Sequence, residues 1–377
     1  MFSLHIDTAR TWRGGQNQVL LTVTGLRARG HRTVLVAHPE GELARRASEG
    51  HDLIRLAPAH EIDFAAAFKL SRMLRELKPD IVHAHDPHGV AMTAMALALF
   101  GRGETRPAVI AARRVDFHLK QNSLSRWKYK QVDMVICASA AIRAMVVEDG
   151  LPDTRVVTVH EGVDLDRLLA IAPVDVHKAL WLPAGAPVVG NIAALVPHKG
   201  QRYLVDAASG VVRAVRETQS LIFGEGELRH ALTRQIKDLG LEHNVRLIGF
   251  RPDVISLLKS LDVFVMSSTS EGLGTSILDA MAASRVVVAT TAGGIPEIVE
   301  HEVTGLLVAA QRAAPLAEAI IRLLENPDER ARMGHAGLAR VRERFTADQM
   351  VDATLAVYHC VAGTPHVADN GSQPPSA

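Results

Sequence analysis

A short apolar run passes into a glycine-bearing turn and then into a segment of helical period in residues 263–282, VFVMSSTSEGLGTSILDAMA. Gly272 and Gly274 let the backbone approach a ligand closely, and the free N–H groups at the start of the helix favour an anion such as a diphosphate. Glu271 and Asp279 are eight positions apart, which can place one carboxylate on a sugar and the other on a ribose. The stretch predicts a ligand-binding turn; taken alone, it is also compatible with a loop of solvated acids before a capped helix.

Three further turns follow the same plan of strand, tight turn and helix. Residues 286–299, VVVATTAGGIPEIV, contain a Gly-Gly turn with Pro296 near the first helical turn. Residues 194–200, ALVPHKG, and residues 223–228, FGEGEL, each follow a predicted strand. Because the carboxyl ends of parallel strands meet at one edge of a sheet, the four turns are expected to converge on one rim.

Runs rich in Val, Ile and Leu alternate with segments of helical period throughout the chain, which predicts two α/β halves with parallel sheets. The predicted strands are Leu4–Asp7, Thr33–His38, Leu53–Leu56, Ile81–His85, Ala108–Ala112, Met134–Ala138, Val156–His160, Val188–Asn191, Ser220–Phe223, Val245–Ile248, Val263–Met266, Val286–Thr290 and Gly305–Val308. The segment from Asp164 to Pro187 has three prolines and no clear strand, so it is the predicted domain boundary.

Composition excludes several classes of protein. The chain has 377 residues, and 42 Lys and Arg nearly balance 41 Asp and Glu, which gives no global reason to expect a nucleic-acid partner. The two cysteines are far apart and suggest neither a disulfide framework nor a thiolate zinc site. No apolar stretch reaches the roughly 20 residues of a membrane span, and the N-terminus does not resemble a signal peptide. A cytoplasmic location is expected.

These motifs together resemble the family-4 glycosyltransferases, retaining enzymes that use nucleotide-diphosphate sugars. HKG, GEGELR, NVRLIGF, SEGLGTSILDAMA, VVATTAGGIPEIV and TGLLV occur in the family's order within residues 188–308, and GGQNQVL, DIVHAHD and HEGVD match more loosely in the first half. The resemblance implies the GT-B fold, an α/β architecture of two Rossmann-like domains facing across a cleft. It implies an acceptor domain at residues 1–165, a donor domain at 166–345, a crossover helix at 346–361 and a disordered tail at 362–377.

The resemblance also assigns roles to individual residues. Lys199 corresponds to the lysine on the donor phosphates, Glu271 to the acid on the donor sugar, and Asp279 to the ribose ligand, where this chain has the shorter Asp in place of Glu. The donor site implied in this way comprises Gly14, Gly15, Lys199, Gly224, Leu247, Phe250, Arg251, Glu271, Gly272, Leu273, Gly274, Thr275 and Asp279. The family needs no divalent metal, so no metal site or cofactor is expected.

Two positions depart from the family pattern. Ala194 stands where the family has an arginine on the phosphates, and the usual histidine after the fifth strand is replaced by Arg113 or Arg114. Arg114 is the predicted replacement cation, whereas Arg202 is expected to be a surface residue. His118 is expected to touch the acceptor. The predicted catalytic residues are therefore Glu271, Lys199, Arg114 and His118.

The expected reaction moves a hexose-type sugar from an NDP-sugar, UDP-sugar being favoured over GDP-sugar, to a hydroxyl of a glycan or lipid-linked acceptor, as in cell-envelope or lipopolysaccharide assembly. Three alternatives stay open: a non-hydrolysing NDP-sugar epimerase, a non-catalytic NDP-sugar-binding protein, and a zinc hydrolase built on His83, His85 and His88. Asp164 and Asp166 also match a metal-binding Asp-x-Asp triplet, which arises often by chance.

One local basic segment stands out against the balanced charge. Residues 102–130 contain eight Lys or Arg and two acids, with Trp127 and Tyr129 between the cations of RWKYK. A cationic helix with aromatic side chains can lie on an anionic membrane surface, which suggests peripheral attachment at the inner face of a membrane. A solvated basic face is the alternative.

Overall fold

The apolar runs of the first half form one parallel sheet. The computed structural model describes residues 1–101 and 104–363. The strands are β1 Phe2–Asp7, β2 Arg32–Ala37, β3 Asp52–Arg55, β4 Ile81–Ala84, β5 Ala108–Arg113, β6 Met134–Cys137 and β7 Val156–Thr158. They lie in the order β3-β2-β1-β4-β5-β6-β7, and their pairing is parallel throughout.

The second half forms a separate parallel sheet of six strands. These are β8 Val188–Ile192, β9 Gln219–Phe223, β10 Val245–Gly249, β11 Val263–Met266, β12 Val286–Thr290 and β13 Gly305–Val308. Their order is β10-β9-β8-β11-β12-β13. The predicted strands are all present, with ends that shift by at most two residues, because short Val- and Ile-rich runs buried on both faces mark parallel strands well.

Helices connect consecutive strands and cover both sheets. They are α1 Gly14–Ala28, α2 Glu42–Ala47, α3 Phe64–Leu77, α4 Pro87–Ala98, α5 Ser123–Lys130, α6 Ala140–Glu148, α7 Leu165–Ala170, α8 Val176–Leu180, α9 Gln201–Ala214, α10 Arg229–Asp238, α11 Val254–Leu258, α12 Thr275–Ala282, α13 Ile295–Ile298, α14 Ala313–Glu325, α15 Pro327–Arg344 and α16 Ala347–Ala362. The boundary segment 164–187 contains the short helices α7 and α8 rather than only irregular chain.

The strand order of each sheet reverses at one point, between β1 and β4 in the first sheet and between β8 and β11 in the second. In open α/β sheets such reversals leave a crevice beyond the carboxyl ends of the strands. The turns that follow β1, β4, β8 and β11 therefore border the crevices of the two sheets. The predicted α/β fold class with two parallel sheets is confirmed.

Helix α16 returns from the second half and packs on α1 of the first. The chain is tied there by a bridge between Val163 and Thr346, and the Gln18 side chain exchanges two hydrogen bonds with the backbone of Gly162, at 2.9 and 3.2 Å. Tyr358 of α16 is fully buried against the first sheet. Of the predicted tail, residues 362 and 363 are described, and residues 364–377 lie outside the described residues.

None of the helices within the described part of the chain combines the length and the apolar character that crossing a bilayer requires.

Candidate active site

An ion pair between Lys199 and Glu271 forms the centre of the candidate site. Lys199 ends a short 3₁₀ turn, Pro197–Lys199, that follows β8, and Glu271 lies in the turn after β11. The Lys199 Nζ lies 2.8 Å from Oε1 and 2.6 Å from Oε2 of Glu271, and the Ser268 hydroxyl donates to Oε2 at 2.9 Å. Two neighbouring strands thus bring a cation and a carboxylate together where a ligand would enter.

Glycine is required in the turn that carries Glu271. A Cβ built on Gly272 would lie 2.1 Å from the carbonyl oxygen of Arg114, the residue that follows β5 of the first half. Gly274 has a φ of 100°, in the left-handed region where residues with a side chain are strained, and it begins α12. The turn therefore combines close approach of the two halves with a helix start whose amides are free to donate.

Arg114 follows β5 and faces the same region from the first half. Its Nε lies 2.9 Å from Oε1 of Glu161, and its NH1 lies 3.1 Å from Nδ1 of His85. Gly15 lies beside this side chain, since a Cβ there would be 3.7 Å from the Arg114 Cδ, an ordinary van der Waals distance. The predicted replacement cation is thus held beside the glycine loop at the start of α1.

Two cations and two carboxylates influence one another across the cleft. Burial raises the pKa of Glu161, the negative charge of Glu271 raises it further, and Arg114 and Lys199 act in the opposite direction. Lys199, Glu271, Arg114 and Glu161 have side chains that are at most 20% exposed. The group has no net charge when all four residues are ionised, so an entering diphosphate would meet cations already paired with carboxylates.

The two halves contact each other around this group. A Cβ on Gly14 would lie 2.5 Å from Oγ1 of Thr275, at the start of α12. Glu297, in α13, accepts hydrogen bonds from the backbone N–H groups of Ala140 at 2.8 Å and Ala141 at 3.0 Å, which begin α6. The same carboxylate pairs with His160 at 2.8 Å. The cleft is thus closed around the charged residues.

Sequence models of known families match both halves of the chain. The model described as "Glycosyltransferase Family 4" covers residues 12–167, and the model described as "Glycosyl transferases group 1" covers residues 175–340. The chain belongs to glycosyltransferase family 4. The resemblance drawn from the sequence motifs is therefore confirmed, and the charged group described above lies in a glycosyltransferase.

Named relatives of this glycosyltransferase act in different settings. A GDP-mannose-dependent monoacylated alpha-(1-6)-phosphatidylinositol monomannoside mannosyltransferase of Corynebacterium glutamicum is 35% identical over 201 residues, which cover 50% of this chain and 52% of that protein. This chain therefore aligns with about half the length of that relative. The lipopolysaccharide core biosynthesis glycosyltransferase LpsE of Rhizobium meliloti is 27% identical over 91% of this chain and 94% of its own.

Solved structures share the fold of this glycosyltransferase. Anabaena HepE in complex with UDP has a TM-score of 0.83 at 22% identity, covering 96% of this chain and 100% of its own. The sucrose-phosphate synthase of Thermosynechococcus elongatus has a TM-score of 0.77 at 20% identity, covering 95% and 98%. At this level of identity the likeness establishes the fold, and the predicted GT-B architecture is confirmed.

Asp279 lies in α12 of the glycosyltransferase, on the helix that begins at the glycine turn. It is half-buried, and no hydrogen-bond partner of its carboxylate is found between residues 1–101 or 104–363. Loss of hydration raises its pKa to about 7. A carboxyl that lacks partners inside a cleft is suited to accepting hydrogen bonds from a ligand.

The other predicted donor residues of the transferase lie in different surroundings. The Leu273 side chain is buried in the core, so only its backbone is available in the turn. Gly224 has a φ of 134° and lies against the Ala193 carbonyl, which makes it a packing glycine. Phe250 is 64% exposed, and Arg251 is paired with Asp253 at 2.7 Å. The Leu247 carbonyl accepts from Arg229 at 3.3 Å.

His118, the predicted acceptor contact, is an exposed side chain after β5 of the transferase, and that contact stays a prediction. Its side chain is 65% exposed, and Nδ1 lies 2.7 Å from the Asp149 carboxylate at the end of α6. In the segment after β5, Arg113 is buried and donates to the Phe117 carbonyl. The Phe117 ring lies 5.7 Å from the ring of His198, the neighbour of Lys199. Arg202 is exposed beside the ring of Tyr203, as expected for a surface residue.

Sequence reasoning missed four residues that the structure brings to the site or its walls. Glu161 and His85 hold Arg114, Ser268 holds Glu271, and Glu297 bridges the two halves. Glu161 lies near the carboxyl end of β7 and His85 directly after β4. Their positions after predicted strands, in the motifs HEGVD and DIVHAHD, could have indicated that they reach the site. Nothing in the sequence indicates that the Glu161 carboxylate is buried.

The histidine group of the transferase differs from the one considered for zinc. His88 is exposed at the start of α4, whereas His5, His83 and His85 are buried with candidate ligand atoms within 4.8 Å of one another. Strand pairing explains the difference, because His5 and His83 are register partners on β1 and β4. The Arg114 guanidinium at His85 opposes a second cation there.

The Asp-x-Asp triplet and the basic segment also have structural explanations. Asp164 caps α7 by accepting from the Arg167 N–H at 3.1 Å, which accounts for the first acid of the Asp-x-Asp triplet. In the basic segment, Lys128 is buried and paired with Glu61 at 2.8 Å. The exposed cations of α5 and the loop before it are Lys120, Arg126 and Lys130.

Proposed function

We propose that the protein is a retaining, metal-independent glycosyltransferase that moves a hexose-type sugar from an NDP-sugar to an acceptor hydroxyl. The observation that supports this most strongly is the meeting of Lys199, Glu271 and Arg114 where β8, β11 and β5 end at the cleft. The relatives named above use sugar nucleotides or assemble glycans, and the fold neighbours include complexes with UDP and UDP-glucose. We favour UDP-sugar over GDP-sugar as donor.

The donor diphosphate would lie at the start of α12. Free N–H groups at a helix start attract an anion, and Lys199 adds a full positive charge beside them. As the bond from the anomeric carbon to the diphosphate breaks, negative charge grows on the leaving phosphate. Arg114 and the backbone amides after Gly274, which the fold already fixes, stabilise that charge together with Lys199 and without a divalent metal.

Donor binding would exchange partners within the ion pair. Without ligand, Lys199 and Glu271 contact each other at 2.6 Å. The sugar hydroxyls would take the place of the ammonium as donors to Glu271, while Lys199 turns to the phosphate. This exchange discriminates in favour of a complete NDP-sugar, because a sugar or a phosphate alone leaves one member of a mostly buried pair without a partner. Asp279 would accept from the ribose hydroxyls.

Calorimetric titration of EDTA-treated protein with UDP, GDP and ADP tests the donor site. One nucleotide is expected to bind without metal. Lys199→Ala is expected to weaken it by roughly tenfold to a hundredfold, the value of a charge-assisted hydrogen bond. Glu271→Ala should change the affinity for the matching NDP-sugar more than that for the nucleotide, because the carboxylate faces the sugar.

Lys237→Ala is the matched control, since Lys237 is an exposed lysine at the end of α10 in the same half. It should bind the nucleotide like the wild type. If none of the three nucleotides binds, or if Lys199→Ala and Lys237→Ala behave alike, the donor site is misplaced. Turnover separates the alternatives: a transferase releases NDP only with an acceptor, an epimerase converts the NDP-sugar without one, and a non-catalytic binder does neither.

We further infer that the acceptor domain docks on an anionic membrane surface that carries a lipid-linked acceptor. Lys120, Arg126 and Lys130 are exposed cations of α5 and the loop before it, and Phe64 at 73% and Phe68 at 61% exposure are strongly exposed aromatic side chains of α3. Glu61 joins the two elements, because it precedes α3 and pairs with Lys128 of α5. These five exposed residues form the basic-aromatic patch, a composition that suits an interfacial site.

Vesicle sedimentation tests the patch. Arg126→Gln with Lys130→Gln should weaken binding to vesicles of phosphatidylcholine and phosphatidylserine by roughly tenfold or more, since each surface cation contributes about 1 kcal/mol. Binding to pure phosphatidylcholine should be weak for all forms. The control pair, Arg213→Gln with Arg216→Gln, removes two exposed cations of the second half and should bind like the wild type. Equal binding of both variant pairs would contradict membrane docking. It would not contradict the proposed donor site.

A further inference from the structure

The Arg114 guanidinium is held from two sides by buried groups. Glu161 lies 2.9 Å from Nε, and the Nδ1 of His85 lies 3.1 Å from NH1. Both holding residues follow strands of the first sheet, Glu161 after β7 and His85 directly after β4. A free arginine side chain loses rotamer freedom when it is fixed. Fixing it before ligand arrives removes that cost from donor binding.

The direction of the hydrogen bond determines the protonation state of His85. A guanidinium has donors only, so the Nδ1 of His85 accepts and its proton lies on Nε2. That Nε2 faces the Nδ1 of His5 at 3.0 Å, and the Nε2 of His5 faces the Ser3 hydroxyl at 3.0 Å. The proton of each ring therefore points away from Arg114, and the row Arg114, His85, His5, Ser3 has a donor and an acceptor at every step.

Burial supports this neutral state. It lowers the pKa of His85 well below its ordinary value, with further contributions from His83, Arg114 and His5. It lowers the pKa of His5 to about 3, and the charge of Arg114 adds to that effect. At physiological pH the two rings are uncharged, so they accept from Arg114 without repelling it.

The third buried histidine, His83, lies outside this row of hydrogen bonds. His83 has Nδ1 at 2.7 Å from the Tyr358 hydroxyl of α16 and makes no hydrogen bond to Arg114. A small cavity lies beside it, lined among others by His83, Arg114, Glu161 and Thr354. His83 and Tyr358 are thus close to Arg114 but outside the row that holds it, which provides a matched control.

We propose that His85, together with Glu161, is a positioning residue that aims Arg114 at the donor diphosphate, so that Arg114 supplies the phosphate cation absent at Ala194. This inference rests on the proposed donor site and deepens it. His85 touches no substrate. It acts by presenting an uncharged acceptor to one side of the guanidinium, while Glu161 orients the other side.

The experiment measures nucleotide affinity by calorimetry, using the best of UDP, GDP and ADP, together with kcat and KM. His85→Phe is expected to weaken nucleotide binding about fivefold to tenfold, less than the loss of a full hydrogen bond to a charged group, because Glu161 still holds the other side of the guanidinium. His85→Asn should keep most of the affinity, because its Oδ1 occupies the position of Nδ1 and still accepts. Tyr358→Phe should lower thermal stability without changing the affinity.

A double-variant cycle separates positioning from general structure. Arg114→Ala should weaken nucleotide binding at least as much as His85→Phe, and His85→Phe should cause no additional loss when Arg114 is already alanine. Equal losses from His85→Phe in both backgrounds would overturn the positioning role. If His85→Phe does not fold, His85→Gln, which moves the acceptor to the Nε2 position, replaces it in the same cycle.

The cycle also distinguishes failure of the inference from failure of the donor site. If Arg114→Ala leaves the affinity unchanged while Lys199→Ala weakens it, the donor site stands and the role of Arg114 is wrong. If neither variant changes the affinity, the donor site itself is wrong and the inference falls with it.

Discussion

At the scale of single residues, the charged side chains of the cleft are arranged in ion pairs. Lys199 with Glu271 and Arg114 with Glu161 are the closest ion pairs of the site, and all four side chains are mostly buried. Removing one partner of such a pair leaves an uncompensated buried charge, which costs more than the pair contributes. A ligand that carries both negative phosphates and hydroxyl donors satisfies the separated partners together, and this accounts for the selectivity proposed above.

Asp279 makes nucleotide affinity dependent on pH. Its pKa is raised to about 7 because burial disfavours the charged form. Ribose hydroxyls bind best to the carboxylate, so binding should release a proton and affinity should rise between pH 6 and pH 8 by up to about tenfold. Calorimetry in two buffers of different ionisation enthalpy counts that proton. Asp279→Asn should abolish the release, and an equal release in that variant would assign it to another group.

At the scale of elements, the turn between β11 and α12 fits against the segment after β5. Its conformation depends on glycine, because the Arg114 carbonyl occupies the space of a side chain at Gly272. The pattern of strand, glycine turn and helix is visible in the sequence, and the structure shows why the glycine is needed. It makes contact between the halves possible as well as ligand approach.

Gly272→Ala should therefore impair turnover more than stability. The new Cβ would lie 2.1 Å from one backbone oxygen and 3.0 Å from the attached carbon of Arg114, so the halves must move apart. A displacement of about 1 Å can reduce turnover roughly a hundredfold, and kcat should fall accordingly. Thermal unfolding and kinetics measure the two effects. Gly337→Ala, whose Cβ would lie 3.4 Å from Met281, is the control with unchanged kcat. Unchanged kcat in Gly272→Ala would contradict the closed arrangement.

The elements themselves were largely predictable from the sequence, and the side-chain directions were not. Buried strands such as Val263–Met266 show as short apolar runs, so their order and the turns after them follow from pattern. The orientation of His118 could not be predicted, because it depends on the irregular segment after β5 and on the pairing with Asp149. His88 was grouped with His83 by proximity in the chain, whereas the pairing of β1 with β4 brings His5 instead.

At the scale of the whole molecule, the two halves are held by groups other than the catalytic candidates. Glu297 crosses the cleft to the start of α6 and to His160, whose ring lies 5.4 Å from the ring of Phe345. Burial alone would raise the pKa of Glu297, but hydrogen bonds from His160, Ala140 and Ala141 outweigh it and lower the pKa. The ionised carboxylate thus connects the second half to the first.

Glu297→Gln should favour an open arrangement of the two halves. An amide accepts through one oxygen and carries no charge, so it loses at least one charge-assisted hydrogen bond worth about 1.5–3 kcal/mol. Small-angle X-ray scattering should show a larger radius of gyration, and kcat should fall about tenfold or more. Glu302→Gln is the control, because the Glu302 side chain is 57% exposed and forms a surface ion pair with Arg322 at 3.0 Å. Identical scattering and kcat for both variants would show that Glu297 does not hold the halves together.

The return of α16 to the first half has a consequence for synthesis on the ribosome. Its Tyr358 and Val351 cover Ile81, Ile110 and Leu26, so the first half cannot bury these residues when its own strands have emerged. Domains of a nascent chain usually fold in order from the N-terminus. Here a helix that follows the second half completes the first domain, and the first half keeps an exposed apolar face until the second half has been made.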